Sequence, residues 1–190
     1  MKKFFFFLKK LKKNYEIGYN SKIYKESSIE NLTNNPAKIK IGNNCSVRGK
    51  LLVFAHGGEI LIGNNVFIGE NTQIWSASKI IIEDNVMISH SVNIIDTNSH
   101  PKNANLRSQH HLEIITKGHP IQGQIVSQIE SFPIIIKKNS WISFNVTILK
   151  NVSIGENSIV GANTVINKNI KDNTIVFSEI KNIEKEIDNK

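Results

Sequence analysis

Ile136, Ile142, Ile148, Ile154, Val160 and Ile166 follow one another at intervals of six residues. That interval suits neither an amphipathic helix, with its period of about 3.6, nor a long ordinary strand, with its period of 2. It is the signature of a β-solenoid, in which short strands alternate with tight corners. The same spacing recurs upstream as Ile41, Val47, Val53, then Ile62, Ile68, Ile74, then Ile82, Ile88, Ile94, with short slips between the runs. Four residues after these aliphatics stands a second small or β-branched position, filled by Cys45, Val66, Thr72, Val86, Val92, Val146, Val152, Ser158 and Thr164 among others. Both positions must point inward. Gly42-Asn43-Asn44, Gly63-Asn64-Asn65, Gly69-Glu70-Asn71 and Gly155-Glu156-Asn157 supply residues that tolerate turn conformations. Three hexads then make one triangular coil, and stacked coils bury a continuous aliphatic column.

The expected organisation is all-β in one domain: a basic segment and cap over 1–40, a repeat over 41–178 interrupted by a loop at about 96–132, and a short C-terminal helix over 179–190. That last segment alternates acids and lysines around Ile180, Ile183 and Ile187. No apolar run is long enough for a transmembrane helix. The single Cys45 cannot form an internal disulfide, and its place in the repeat marks it as a buried small residue; a reducing, cytoplasmic setting is expected. Residues 1–13 carry six lysines, no acid and an apolar stretch of five, too short for a secretory signal. They suit either peripheral contact with an anionic membrane surface or a helix packed on the first coil. The formal charge of +8 does not indicate nucleic acid, because the remaining basic residues are scattered without interleaved aromatics.

The repeat breaks at Asn93-Ile94-Ile95-Asp96-Thr97-Asn98-Ser99-His100-Pro101, followed by Leu106-Arg107. Downstream stand Ser131-Phe132-Pro133, Trp141-Ile142, Val152-Ser153-Ile154-Gly155 and Ser158-Ile159-Val160-Gly161-Ala162. In this ordered combination, from about Ile41 to Ile187, the chain resembles the hexapeptide-repeat acyltransferases, in the branch of galactoside, maltose and nodulation-factor O-acetyltransferases. The resemblance implies a left-handed parallel β-helix, acetyl-CoA as co-substrate, a sugar acceptor and a homotrimer. It puts the general base on His100. The chemistry needs such a group, since an alcohol is a poor nucleophile at neutral pH and a neutral imidazole can take its proton. Asp96 either orients the other ring nitrogen of His100 or caps a turn. Asn71 aligns with an asparagine near the acceptor and the reacting centre, or is one more corner asparagine.

The resemblance also assigns coenzyme A contacts to Trp141, Ser143, Phe144, Ala162, Asn163, Lys168 and Lys181. Two departures stand out: Asn163 replaces a glycine of the family, and Ser178-Glu179-Ile180 replaces the usual Gly-x-Pro of the tail. No metal is expected, because His110, His111 and His119 lie in the loop and not at a fixed offset on the coil frame. The resemblance, a basic N-terminus that would hold the enzyme near membrane-bound glycan synthesis and a loop longer than in small-sugar relatives point the acceptor toward a surface polysaccharide or its precursor. An amino-sugar N-acetyltransferase would use the same thioester and base. A non-catalytic solenoid serving assembly is the third reading, and His100 and the Trp141 block speak against it. The sugar, the hydroxyl and the acyl chain beyond acetyl are not encoded in any of these residues.

Overall fold

In a computed structural model, residues 13–120, 128–179 and 183–185 are described. Their strands form three parallel sheets, which are the three faces of a left-handed triangular β-helix. The first face stacks Glu16–Ile17, Ile39–Ile41, Ile60–Ile62, Ile80–Ile82, Ile134–Ile136 and Val152–Ile154. The second runs from Lys22–Ile23 through Met87–Ile88 and Trp141–Ile142 to Ile175–Val176, and the third from Ser28–Asn31 through Gln73–Ser76 and Asn93–Ile95 to Val165–Ile166. The hexad aliphatics meet at the axis: Ile68, Ile74, Ile88, Ile136, Ile142, Ile148 and Ile154 are all fully buried. Cys45, Val66, Thr72, Val86 and Ser158 are buried beside them, as the second inward position requires. Each such isoleucine contributes about 1.5–3 kcal/mol by leaving water, so the column is the main source of stability.

Between the first and second faces, four residues intervene in every coil, and the third of them is always asparagine: Asn20, Asn44, Asn65, Asn85, Asn139 and Asn157, with Asn173 above them. All seven have φ between 56° and 61°, the left-handed region that asparagine tolerates better than other side-chain-bearing residues. Each side-chain amide donates to the next oxygen, from Asn20 to Asn44 at 3.1 Å up to Asn157 to Asn173 at 3.0 Å. The corner residues thereby become a ladder parallel to the core. Asn85 accepts from Asn65 at 3.0 Å and donates to Asn139 at 3.1 Å. Asn85→Ala should therefore cost about 1–2 kcal/mol in chemical denaturation, from backbone strain plus two lost hydrogen bonds, and Asn85→Gly should recover the backbone part.

The structure differs from the sequence reading in three places. The repeat begins at Glu16, a whole coil before Ile41, so most of the expected cap is solenoid. The insertion is not all loop: it contains a helix, α1 (Ala104–Lys117). Of the expected C-terminal helix only Glu179 and residues 183–185 are described, and none of these is helical; the basic segment 1–12 lies outside the described residues.

The added residues fall at one corner, between the third and first faces. Leu149 to Val152 is the tight version, whereas residues 32–38, 54–59, 77–79 and 96–133 all leave the coil there. These are the slips seen in the sequence, and they stack along one edge of the prism. The pocket forms among them.

Candidate active site

At this edge the chain closes a cavity of about 190 Å³. Leu32, Phe54, Ala55 and Trp75 form its floor and side, and Ile114, Pro120 and Ile129 of the insertion cover it. Four of the six histidines, His56, His100, His110 and His119, also line it. No carboxylate, lysine or arginine is among the lining residues described.

The insertion is tied at its base. Thr97 and Ser131 form an antiparallel bridge, Phe132 N donates to Asp96 O at 2.9 Å, and Asn98 N donates to Glu130 O at 3.0 Å. Lys102 and Lys150 both reach the Glu130 carboxylate, at 2.7 and 3.4 Å, and the Lys102 hydrogen bond foremost holds it below the usual carboxylate range. Above this stem, Ser99 takes φ 62°, unusual for serine, and His100 N turns back to Asn98 O at 2.7 Å. This strained turn presents the His100 ring at the pocket.

Helix α1 starts at Asn103, whose side chain accepts from the amides of Asn105 and Leu106, and ends at Gly118, where φ is 87°. Arg107 donates to the carbonyls of Pro101 and Lys102, which fastens the helix to the His-Pro turn. Leu106, His110 and Ile114, four residues apart, are the partly buried stripe; Leu112 and Ile115 are exposed. The helix delivers His110 Nδ1 to within 3.1 Å of His100 Nδ1, with the rings edge to face at 5.2 Å. Burial, and then the neighbouring His100, push the His110 imidazole below its ordinary pKa. Among the described residues, His110 Nε2 is buried without a hydrogen-bond partner.

His56 enters from the slip at 54–59, stacked on Phe54 with ring centroids 5.6 Å apart. Its pKa is lowered, chiefly by burial. The slip turns at Gly58, where φ is 121° and a Cβ would collide with the Ser76 carbonyl oxygen.

Asp96 is fully buried, but its partners are not His100. Its carboxylate accepts from Ser76 Oγ at 2.6 Å, Ala77 N at 2.7 Å and Ser78 N at 3.0 Å, so it anchors the slip at 77–79 beneath the pocket. Burial raises its pKa, against the pull of these hydrogen bonds.

Trp141, Ser143, Phe144, Ala162 and Asn163 gather elsewhere, on the second face and its corner with the third. Trp141 is partly exposed and its indole N–H donates to Ser89 Oγ at 3.2 Å. Asn163 N donates to Phe144 O at 3.1 Å, and the Asn145 amide donates to Asn163 Oδ1 at 2.7 Å. Asn163, which replaces a glycine of the resembled family, adopts φ 59°. Asn71, also at φ 59°, stands at this second corner and not beside His100. The strand Gln73–Ser76, about 13 Å long at about 3.3 Å per residue, lies between it and the pocket edge. Lys168 is exposed at the third corner of the last coil, and Lys181 lies outside the described residues. Within one chain, then, His100 and most of the coenzyme A candidates occupy different edges of the prism.

His90 also lies on the second corner, just before Ser91. Its Nδ1 accepts the Glu70 amide at 3.2 Å, so a neutral His90 carries its proton on Nε2 and offers a donor, not a base. Among the described residues no group of three or more His, Cys, Asp or Glu is placed to hold a metal ion.

Residues 133–168 match the family described as bacterial transferase hexapeptide, six repeats. No curated protein matches the sequence. Among solved structures, the fold is similar to AntD, an N-acyltransferase from Bacillus cereus, in complex with dTDP and 3-hydroxybutyryl-CoA. Identity is 22%, 87% of this chain and 79% of that chain are covered, and the TM-score is 0.64. A variant of AntD in complex with dTDP-4-amino-4,6-dideoxyglucose and coenzyme A gives 21%, 87%, 79% and 0.64. The hexapeptide-repeat containing acetyltransferase VCA0836 of Vibrio cholerae O1 biovar eltor, in complex with acetyl coenzyme A, gives 22%, 86%, 67% and 0.56. These likenesses agree with the triangular β-helix found in the chain itself.

Proposed function

We propose that the chain is an acetyl-CoA-dependent O-acetyltransferase that acetylates a sugar hydroxyl, of a surface polysaccharide or its precursor, at the cytoplasmic side of the membrane. The observation that carries the reading is His100: a histidine presented by a strained turn at the rim of an apolar pocket, in a chain bearing the transferase hexapeptide. The acceptor hydroxyl attacks the thioester carbonyl as its proton passes to His100 Nε2. The tetrahedral intermediate then expels the coenzyme A thiolate, which takes that proton, leaving an acetyl ester and free thiol. Phe54, Trp75 and His56 offer flat surfaces to a sugar ring.

Likeness to AntD favours the second reading, N-acylation of an amino sugar. The pocket's chemistry weighs against it. An ammonium group would call for a carboxylate near the reacting atom, and none is among the described residues that line the cavity. A thioester-release assay with a thiol reagent, run over sugars, amino sugars and nucleotide sugars, separates the readings. Thiol release only with amino sugars would replace the O-acetyl reading, and release with none of the panel would remove the enzyme reading.

The separation of His100 from the Trp141–Asn163 cluster further supports a closed homotrimer in which a neighbouring copy completes each site. Exposed apolar side chains at Met87, Trp141, Phe144 and Val165 are available for that contact. Light scattering should give about three times 21.4 kDa, and a monomer at assay concentration would reject the shared site.

A further inference from the structure

We propose that His110 is the positioning residue for His100, taking by its Nδ1 the place that an orienting carboxylate would otherwise hold. The inference rests on His100 being the base. The two Nδ1 atoms are 3.1 Å apart, and a hydrogen bond between them needs one proton, carried by one ring or the other. If it sits on His100, His100 Nε2 keeps a lone pair turned to the acceptor. If it sits on His110, His100 Nε2 carries the hydrogen and cannot accept one. Once His100 takes the acceptor's proton, both its nitrogens are protonated, and only the arrangement with His110 as hydrogen-bond acceptor survives. The contact therefore strengthens as charge develops, which is where an interaction raises turnover.

His110 must stay neutral to play this part. The groups around it favour that: it is half-buried, with His100, His56 and His119 near it and Glu113 opposing from its own helix. Asp96 is below, but its two oxygens are occupied by Ser76, Ala77 and Ser78. In the active arrangement His110 carries its hydrogen on Nε2, the buried nitrogen with no partner among the described residues.

The test compares His110→Leu with His110→Asn, whose side-chain oxygen can sit where Nδ1 does. His110→Leu should lower kcat by about 10- to 100-fold with both KM values within about twofold, and His110→Asn should restore kcat to within about threefold of wild type. Nitrogen-15 NMR of histidine-labelled protein at neutral pH gives a readout without substrate: His100 should hold its proton on Nδ1 in the wild type and shift toward Nε2 in His110→Leu. An unchanged kcat in His110→Leu, or a wild-type His100 protonated on Nε2, overturns the proposal. Full activity in His100→Ala would instead overturn the base assignment, while the NMR result would still report on the pair.

Discussion

Replacing His100 by alanine should lower turnover by about 10²- to 10⁴-fold and leave the KM for acetyl-CoA within about twofold, because the substitution removes proton transfer in the transition state and no cofactor contact. The geometry sharpens this expectation. Within one chain His100 stands at a different edge of the prism from Trp141, Phe144 and Asn163, so its loss leaves the shape of their surface unchanged. Rate–pH profiles provide a second check. The wild-type rate should rise with pH, since only a neutral imidazole can take the acceptor's proton. Burial, and then the neighbouring His100, hold His110 neutral to lower pH than an ordinary histidine, so the charging of His110 does not set this limb. The limb should vanish in His100→Ala. Substantial activity with a retained limb would move the base elsewhere; His90 is a poor substitute, since the Glu70 amide already occupies its acceptor nitrogen.

The hexad frame was legible because a six-residue period leaves the same side-chain types at every inward position, and the core repeats them with few exceptions. The first coil was missed although Ile17, Ile23 and Ile29 carry the period. They are in phase with Ile41, but the detour at 32–38 puts Asn35 where the next aliphatic of the frame would stand, and at the open end of the column they are only partly buried. Helix α1 escaped notice for a different reason. Its inward stripe is narrow, Leu106, His110 and Ile114, while Leu112 and Ile115 face outward, so the apolar residues do not mark one face. Asn103 as N-cap and Gly118 as the closing residue were the available signals. His100 could be singled out because it directly precedes Pro101 at the break in the repeat. His56 and His110 could not, since each reaches the pocket only after separate detours at one corner are stacked on one another. Asn71 shows the limit of spacing arguments: its left-handed backbone is shared with Asn145 and Asn163 on the same corner, so its conformation answers to the turn whatever else it does.

Asp96→Ala should destabilise the fold by about 2–5 kcal/mol, because it leaves the amides of Ala77 and Ser78 without their acceptor beneath the pocket, while the Ser76 hydroxyl keeps only the Glu59 carbonyl. For a chain of this size that corresponds to a fall in Tm of about 10 °C. The pH dependence separates this from an ordinary core deletion. Asp96 has its folded pKa raised by burial, so the folded chain binds that proton more tightly than the unfolded chain does. The group's contribution to stability therefore increases as pH falls from neutral through the folded value, and is complete near the ordinary carboxylate pKa of about 3.9. The stability gap between wild type and Asp96→Ala should widen over that interval; a constant or shrinking gap would show that the hydrogen bonds outweigh burial. At temperatures well below its Tm the variant should keep the pH limb of the wild type, since His100 pairs with His110 and not with this carboxylate. An unchanged Tm combined with a lost or displaced limb would return Asp96 to the orienting role that its position four residues before His100 first suggested.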